Sequence, residues 1–375
     1  MEKIIHFDKA ASTQPEEKML DLIKSVQKLW WNNPSSAYES GRRLRENINE
    51  FRKGIIEYLG GDPNKDKLIF CANGSEANNL GVNIGNEYSI IVDNLSHPSL
   101  FNNPNKIRCM ITNDKGKVDL ELLENELKQL NNKPLVAISY INSEIGSIND
   151  IEAISELVHK YNGLLLVDAC QAINHIYINI KKLGADMLTF TSEKMNLPRG
   201  CGCLYIKDGI ELNPIIYGGG QEYGLRAGTE NQAMIYAIAS HLYNMKDYIT
   251  DIMFYEIRLR DKIEKEIDKV CKEINQEYTY TLPHSCTIEN IISIRFKGIK
   301  GSDLLTMLDM YGVEISLGSA CSAGNPEPSR ILKGIGLTDE EALSTIRISF
   351  DCMNTEEEVV EFGKILKKCL ITLRD

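Results

Sequence analysis

Two charged residues follow apolar runs that are typical of buried strands. The run 187–189 is followed a few residues later by Lys194, and the run 164–167 is followed directly by Asp168. A lysine at a strand end can form a Schiff base, although most lysines are solvated surface residues. A carboxylate at a strand end can pair with a protonated heterocyclic nitrogen, such as that of pyridoxal phosphate (PLP), or it can simply cap a helix. The two strand ends are therefore candidates for a cofactor site.

Gly74, Ser75 and His97 also follow strand-like runs of the sequence. Gly74 and Ser75 follow the run 68–72 and open a helical segment. The free N–H groups and the dipole of a helix N-terminus favour an anion, but a Gly-Ser pair is also an ordinary helix start. His97 lies before a proline and can stack on a heterocyclic ring, although a single histidine is more often an ordinary loop residue. These residues are candidates for contacts with a phosphate and with a ring, and the simpler alternatives stay open.

The C-terminal part of the chain holds a cysteine among small residues and an arginine in a strand-like run. Cys321 lies in the segment 317–326, where glycine, serine and alanine predominate, whereas a structural cysteine usually has larger apolar neighbours. Arg347 follows Ile346 and can grip a carboxylate with both arms of its guanidinium group, or form an ordinary surface salt bridge. We interpret Cys321 as a candidate thiol nucleophile.

Alternating helices and strands must position these residues in the first two thirds of the chain. Apolar residues recur at helical spacing over 44–59, and an amphipathic pattern over 151–161 lies between the strand-like runs 136–141 and 164–167. Repeated strand, helix and strand predict an α/β fold with a mainly parallel sheet covered by helices. Such sheets bind ligands at the carboxyl ends of their strands.

The pattern changes near residues 249–251, where we predict that a smaller α+β domain begins. Its predicted elements are a long charged helix, strands and a terminal helix, at about 254–273, 291–296 and 355–373. A chain of 375 residues exceeds the usual size of one hydrophobic core, so two domains are expected. We predict a large cofactor-binding domain over 14–250, and a small domain formed by 1–13 and 251–375 that carries the cysteine loop.

The composition is that of a globular protein, with 43% apolar and 25% charged residues. The formal charge of −11 argues against direct, non-specific binding of nucleic acid, which depends on lysine and arginine contacts with phosphate. We find no signal peptide and no apolar run of transmembrane length, and the ten cysteines are scattered without a CxxC pair. We therefore expect a cytoplasmic protein with reduced thiols, without membrane or direct nucleic-acid contacts and without a metal site.

The order of these segments resembles the cysteine desulfurases, within the class V aminotransferase group of fold-type I PLP enzymes. The matching segments are DKAAST at 8–13, NPSS at 33–36, GGGQE at 218–222 and RIS at 347–349. The most specific segment is GSAC at 318–321 followed by EPS at 327–329, whose length resembles the longer cysteine loop of the NifS/IscS-like branch. The resemblance implies a homodimer with the site at the subunit boundary.

The resemblance implies a role for each matching residue. Lys194 would carry PLP, Cys321 would be the nucleophile, and Arg347 would bind the carboxylate of L-cysteine together with Asn142. The residues implied to contact the cofactor are Gly74, Ser75 and Thr191 at the phosphate, Thr229 at the phosphate of the neighbouring subunit, Asp168 at the pyridinium, Gln171 and Ser143 at the phenolic oxygen, and His97 on the ring. His97 is implied to be catalytic as well.

The implied reaction converts L-cysteine to L-alanine and leaves the sulfur on Cys321 as a persulfide. The persulfide would pass to a protein acceptor, such as an iron–sulfur cluster assembly scaffold or a tRNA thiolation enzyme. Selenocysteine lyase or another class V carbon–sulfur lyase is an alternative. A second alternative is a degenerate PLP-fold scaffold in a sulfur-transfer complex.

The sequence also departs from the family pattern at four positions. Glu193 stands where the family has His, Ser143 where it has Asn, Tyr38 where it has His and Tyr223 where it has Arg. A carboxylate at Glu193 would raise the pKa of the neighbouring Lys194. A serine at position 143 is shorter and would hold the phenolic oxygen less well. We therefore expect a working desulfurase with an atypical set of cofactor contacts.

Overall fold

The computed structural model describes residues 4–104, 107–109, 111–317 and 327–374. Its helices are α1 (Glu17–Leu29), α2 (Glu39–Tyr58), α3 (Gly74–Gly81), α4 (Pro98–Phe101), α5 (Leu120–Lys128), α6 (Ile151–Lys160), α7 (Ile180–Leu183), α8 (Gln232–Ile274), α9 (Gly301–Met310), α10 (Arg330–Gly334), α11 (Asp339–Ser344) and α12 (Glu356–Arg374). Its strands are β1 (Ile5–His6), β2 (Lys67–Cys71), β3 (Tyr88–Asp93), β4 (Ile107–Cys109), β5 (Lys133–Ser139), β6 (Leu164–Asp168), β7 (Met187–Thr191), β8 (Gly202–Ile206), β9 (Tyr278–Tyr280), β10 (Ile291–Phe296), β11 (Val313–Glu314) and β12 (Thr345–Ser349).

The central sheet of the described chain has seven strands in the order β2-β8-β7-β6-β5-β3-β4. The strands from β7 to β4 pair in parallel, and β8 runs antiparallel to both β2 and β7. Because β8 opposes both neighbours, β2 points in the same direction as β7. The carboxyl ends of β2, β3, β5, β6 and β7 therefore lie at one edge of the sheet, and the predicted α/β fold with a mainly parallel sheet is confirmed.

The strands of this sheet are apolar on both faces because helices cover both sides. In β6, Leu165 and Val167 belong to one core cluster, whereas Leu166 points into the cluster on the other face. The neighbouring strand β5 repeats the alternation with Val136 on one side and Leu135 on the other. Burial on both faces explains why these runs are continuously apolar and carry no alternating pattern.

A further hydrophobic cluster lies around the smaller sheets. The antiparallel sheet β12-β10-β9 and the parallel pair β1-β11 supply its strands. Phe7, Phe296 and Phe362 are among its fully buried residues, and Leu259 brings in the second half of α8. The domain division at residues 13/14 and 250/251 stays a prediction.

Helix α8 differs from the sequence prediction. A charged helix was expected to begin at about residue 254, but α8 is continuous over Gln232–Ile274 and passes through the predicted change at 249–251. The segment contains no glycine or proline that would break a helix. Its buried residues continue across this point, with Ile249 on one side and Glu256 on the other. One helix therefore packs against α2 near its start and against α12 near its end.

None of the helices in the described part of the chain is both long enough and apolar enough to cross a membrane.

Candidate active site

A cavity of about 730 Å³ lies at the carboxyl edge of the central sheet. The loops that follow β2, β3, β5, β6 and β7 form one side, which we call the sheet wall. The N-terminal segment, the loop after β11, the start of α10 and β12 form the other side, which we call the outer wall. Glu144, although it follows β5, is grouped with the outer wall because it contacts Ser329 at the start of α10. The cavity lies where open parallel sheets bind their ligands.

Asp168 is the last residue of β6 and lines the sheet wall. Its buried carboxylate accepts hydrogen bonds from Asn78 Nδ2 at 2.8 Å and from the backbone N–H of Cys170 at 3.1 Å. Both partners are uncharged donors, so no described cation neutralises the carboxylate through these bonds. A buried carboxylate held in this way suits a cationic ligand atom, such as a protonated ring nitrogen.

The start of α3 forms a narrow cradle beside Asp168. Gly74 is the first residue of the helix, and Asn73 caps it by accepting a hydrogen bond from the Glu76 backbone N–H at 2.9 Å. A Cβ atom added at Gly74 would lie 3.0 Å from Cys170 Sγ, so a side chain does not fit there without a shift. Free N–H groups at such a helix start favour an anion.

Ser75 and Thr191, the other residues predicted at the phosphate, also line the cavity. Ser75 is exposed in the first turn of α3, and Thr191 is buried at the end of β7. The Thr191 hydroxyl donates a hydrogen bond to the Cys201 carbonyl oxygen at 3.2 Å. The structure thus brings these two residues to the same cavity as Gly74.

Lys194 ends the short 3-10 turn that follows β7, and its side chain is 13% exposed. Its Nζ donates a hydrogen bond to the Ala11 carbonyl oxygen and lies 4.0 Å from Glu193 Oε1. Burial lowers the pKa of Lys194, and the Glu193 carboxylate opposes this shift. Glu193 thus acts in the predicted direction, but the effect of burial is larger. The amine is therefore closer to the neutral form that reacts with a carbonyl group.

His97 and Gln171 line the cavity at two other strand ends. His97 Nδ1 lies 2.8 Å from Ser99 Oγ and accepts a hydrogen bond from the Ser99 backbone N–H at 3.2 Å. Gln171 Nε2 donates to the Ala10 carbonyl oxygen at 2.9 Å, which ties the sheet wall to the N-terminal segment. Both predicted residues are therefore in the cavity, and their roles stay predictions.

Asn142 and Ser143 lie in a turn after β5. Asn142 Nδ2 donates to the Leu95 carbonyl oxygen at 3.0 Å, and its Oδ1 accepts from the N–H groups of residues 144–145 at 2.9 and 3.1 Å. These bonds close the turn, so β5 ends at Ser139, earlier than the sequence predicted. Both residues line the cavity, but the amide of Asn142 already serves the backbone.

Arg347 projects from β12 into the outer wall. Its NH2 donates to Asp8 Oδ1 at 2.6 Å, and its NH1 donates to the Ser143 carbonyl oxygen at 2.7 Å. Its buried Nε has no hydrogen-bond partner among the described residues. The guanidinium group is thus held in place with a carboxylate on one arm, which an incoming carboxylate can replace.

Glu144 is a cavity residue that the sequence analysis missed. It is 2% exposed, and its Oε1 has no hydrogen-bond partner within the described chain. Burial raises the pKa of Glu144 to about 7, while a hydrogen bond to Ser329 and the charges of Arg347 and Arg330 oppose the shift. Asp8 was also missed as a partner of Arg347, although it begins the DKAAST segment. The sequence holds no spacing signal for either contact, because the partners are far apart in the chain.

Two of the predicted site residues, Thr229 and Cys321, are not among the described residues that line the cavity. Thr229 is exposed in the loop before α8 and is not part of the cavity wall in the described chain. Its predicted contact with a second subunit stays a prediction. Cys321 lies outside the described residues, in the gap 318–326. On either side of this gap, Ser316 and Ser329 line the cavity.

The four positions at which the sequence analysis predicts a departure from the family pattern fall into two groups. Glu193 and Ser143 line the cavity. Tyr38 and Tyr223 are exposed and are not among its lining residues in the described chain. Of the four predicted departures, the two that lie at the cavity are therefore beside Lys194 and Arg347, and their effect on cofactor contacts stays a prediction.

The residues present fit PLP. The cradle at Gly74, which a Cβ atom would fill, suits the phosphate, and the buried carboxylate of Asp168 suits the pyridinium. Lys194, with its lowered pKa, would hold the aldehyde carbon. Fold and cavity together define a PLP-binding α/β enzyme.

Comparison with known proteins gives the family. The family model "Aminotransferase class-V" matches residues 5–362. Cysteine desulfurase IscS 1 of Archaeoglobus fulgidus is 33% identical, over 98% of this chain and 97% of that protein. Cysteine desulfurase IscS of Dictyoglomus turgidum is 31% identical, over 100% of this chain and 96% of that protein. The chain belongs to the class-V aminotransferase family.

A solved structure agrees with this result. The NifS-like protein from Rickettsia africae superposes with a TM-score of 0.86 at 28% identity, covering 98% of this chain and 100% of that chain. The predicted resemblance to cysteine desulfurases of the NifS/IscS kind is therefore confirmed. The predicted PLP dependence is also confirmed, because enzymes of this family use that cofactor.

Proposed function

We propose that this protein is a cysteine desulfurase, which converts L-cysteine to L-alanine and transfers the sulfur to Cys321 as a persulfide. The observation that carries the proposal is the meeting of Lys194, Asp168 and Arg347 at one cavity. The full-length similarity to proteins named cysteine desulfurase supports the same activity.

Arg347 binds the substrate carboxylate. Its NH2 now donates to Asp8 and its NH1 to the Ser143 carbonyl, so the substrate competes with Asp8 for a guanidinium group that is already oriented. Burial of Arg347 makes each charge-assisted hydrogen bond stronger than it would be in water.

Lys194 holds the cofactor and moves the proton. When bound, PLP stabilises the negative charge that develops on the substrate α-carbon. Lys194 Nζ takes the proton from that carbon, and its pKa, lowered by burial, favours the neutral amine that a base requires. Asp168 supplies the negative charge that keeps the ring nitrogen protonated.

Cys321 accepts the sulfur as a thiolate nucleophile. Its Sγ attacks the sulfur of the substrate, the S–S bond forms, and the carbon–sulfur bond breaks with its electron pair remaining on the substrate carbon. Protonation of that carbon gives alanine. In sum, L-cysteine and the Cys321 thiol become L-alanine and the Cys321 persulfide.

The assembly and partners belong to the same proposal. The protein acts as a homodimer in the cytoplasm, and Thr229 reaches the phosphate site of the neighbouring subunit. Each subunit has the large and the small domain that the sequence predicts. Trp31 and Tyr217 are 75% and 81% exposed, and a partner subunit that covered them would bury large aromatic side chains. The acceptor is a protein such as an iron–sulfur scaffold or a tRNA thiolation enzyme. Glu193 and Ser143 make the set of cofactor contacts atypical.

The experiment measures alanine and sulfide from L-cysteine with reductant, for the wild type, Lys194→Ala and Cys321→Ala. Equal amounts of alanine and sulfide, lost in both variants, are expected. Lys181→Ala, an exposed lysine on α7, is the matched control and should keep full activity. The absorption spectrum of the purified protein reports bound PLP independently of turnover.

Other results would contradict the proposal. Turnover of selenocysteine without turnover of cysteine would indicate a selenocysteine lyase. Bound PLP without turnover of either amino acid would indicate the scaffold alternative. A light-scattering mass of one chain would contradict the homodimer and the role of Thr229.

A further inference from the structure

Asn78 lies at the centre of a hydrogen-bond chain beneath the cavity. Its side chain is 1% exposed, and its Oδ1 accepts from Thr189 Oγ1 at 2.6 Å. Its Nδ2 donates to Asp168 Oδ2 at 2.8 Å and to Ser99 Oγ at 2.9 Å. An ionised carboxylate only accepts hydrogen bonds, so the NH2 group must face Asp168 and the orientation of the amide is determined. Both of its hydrogen atoms are therefore used, one on Asp168 and one on Ser99.

This orientation determines what Ser99 offers to His97. Because Ser99 Oγ accepts from Asn78, its own hydrogen is available for His97 Nδ1, which lies 2.8 Å away. The Ser99 backbone N–H also points at His97 Nδ1, at 3.2 Å. A backbone N–H is always a donor, so this nitrogen must accept. Two donors on one ring nitrogen exclude a proton there.

We propose that Asn78 and Ser99 are positioning residues that hold His97 as the neutral tautomer with its proton on Nε2. The chain runs from Asp168 through Asn78 and Ser99 to the imidazole, so the carboxylate and the ring share one buried amide. The role of His97 beside the cofactor rests on the proposed function, whereas the tautomer follows from the hydrogen bonds alone.

The tautomer decides what His97 can do in the cavity. With Nδ1 occupied by Ser99, the nitrogen left for a ligand is Nε2, which carries hydrogen. His97 therefore meets a ligand as a hydrogen-bond donor or proton donor, and not as a base. A neutral imidazole is also a better neighbour than an imidazolium for a ring whose nitrogen is protonated opposite Asp168, because two cations would repel.

The test is a two-bond ¹H–¹⁵N correlation spectrum of holoenzyme labelled at histidine, recorded at one mildly alkaline pH. The His97 signals are assigned by their loss in His97→Gln. In the wild type we expect one unprotonated nitrogen, Nδ1, and one protonated nitrogen, Nε2. Ser99→Ala removes the hydroxyl donor, and the ratio of the Nε2–H to the Nδ1–H tautomer should fall about fivefold, which corresponds to the loss of one hydrogen bond. Ser99→Thr retains a hydroxyl and should restore the wild-type pattern.

Ser155→Ala is the matched control. Ser155 Oγ lies 3.4 Å from His159 Nδ1, on α6 and outside the cavity wall, so this variant also removes a hydroxyl beside a histidine. It should leave the His97 signals unchanged. A protonated Nδ1 in the wild type would overturn the proposal, as would identical His97 tautomer ratios in the wild type and Ser99→Ala. The wild-type spectrum alone is decisive if Ser99→Ala does not fold.

The result is separable from the proposed function. An Nε2–H tautomer in a protein that does not release sulfide from cysteine would support the positioning role and contradict the desulfurase. Full desulfurase activity with a protonated Nδ1 would support the desulfurase and contradict the positioning role.

Discussion

The two sides of the cavity differ in how completely their polar groups are paired. On the sheet wall, Asn78 uses both donors and its acceptor, and Asp168 accepts two hydrogen bonds. On the outer wall, Glu144 Oε1 and Arg347 Nε are buried without a hydrogen-bond partner among the described residues. Buried polar atoms without partners are costly, so their concentration on one side needs a reason.

The difference matches how long each of the two ligands, cofactor and substrate, stays in the cavity. A cofactor that stays bound is best held by a network that is complete before it arrives, because little reorganisation is then needed. A substrate that binds and leaves in each cycle needs groups with spare hydrogen-bonding capacity. The sheet wall therefore suits the cofactor, and the outer wall suits the substrate.

Asp168→Asn breaks the complete network and should have the largest effect. The substitution keeps the shape but removes the charge opposite the ring nitrogen, so we expect turnover to fall by about 10²- to 10³-fold. Activity on L-cysteine and the PLP retained after gel filtration are the measurements. Asp186→Asn is the control, since Asp186 is a buried carboxylate before β7 at the opposite edge of the sheet. Asp186→Asn should reduce stability and keep the cofactor. Equal losses of activity and of retained PLP in both variants would contradict the assignment of Asp168 to the cofactor.

Glu144→Gln tests the incomplete pairing of the outer wall through stability. The pKa of Glu144 is raised from 4.5 to about 7, so the folded protein holds a proton that the unfolded chain has already lost in this range. The free energy of unfolding of the wild type therefore falls as pH rises from about 4.5 to above 7, by up to about 3 kcal/mol. Glutamine lacks this titration.

Urea unfolding of wild type and Glu144→Gln at about pH 5 and about pH 8 gives the measurement. Relative to the wild type, the variant should be more stable at the higher pH than at the lower one, because other titrating groups cancel in the difference. A difference that does not depend on pH would show that Glu144 titrates normally.

Arg347→Lys sharpens the assignment of the outer wall to the substrate. Lysine keeps the charge but loses the two-armed geometry, so KM for L-cysteine should rise about tenfold with a smaller change in PLP binding. Arg295→Lys is the matched control, because Arg295 pairs with Glu341 away from this cavity. An unchanged KM in Arg347→Lys would place the substrate carboxylate elsewhere.

Glu193→Gln should have the smallest effect. The Glu193 carboxylate raises the pKa of Lys194 against the lowering by burial, so its removal should lower that pKa further. Uptake of PLP by the apoenzyme requires the neutral amine, and its midpoint should therefore move to lower pH. Glu76 is unsuitable as a control because its carboxylate accepts a hydrogen bond from the Ala72 backbone N–H just before α3. Glu152→Gln on α6, which does not line the cavity, should leave the midpoint unchanged. A shift to higher pH would contradict the assigned sign.

The sequence alone determined the class of fold and most of the sheet wall. Continuous apolar runs predict a parallel sheet, and strand ends of such a sheet meet at one edge, so the sequence alone groups Gly74, Asp168 and Lys194. The same logic failed for α8, because a change in charge pattern near residue 250 resembled a boundary although nothing there breaks a helix. Arg347 and Cys321 are candidates from their local sequence patterns, and the resemblance to cysteine desulfurases implies their roles.

The tertiary structure decided the outer wall and the hydrogen bonds beneath the cavity. Asp8 and Arg347 meet across 339 positions of the chain, and Thr189 meets Asn78 across 111. Such pairs leave no periodicity or local spacing, since they depend on how separate elements pack. The balance of burial against charge at Lys194 and the orientation of the Asn78 amide are likewise properties of the packed state. Sequence patterns report local geometry, whereas desolvation and hydrogen-bond direction exist only after distant segments have come together.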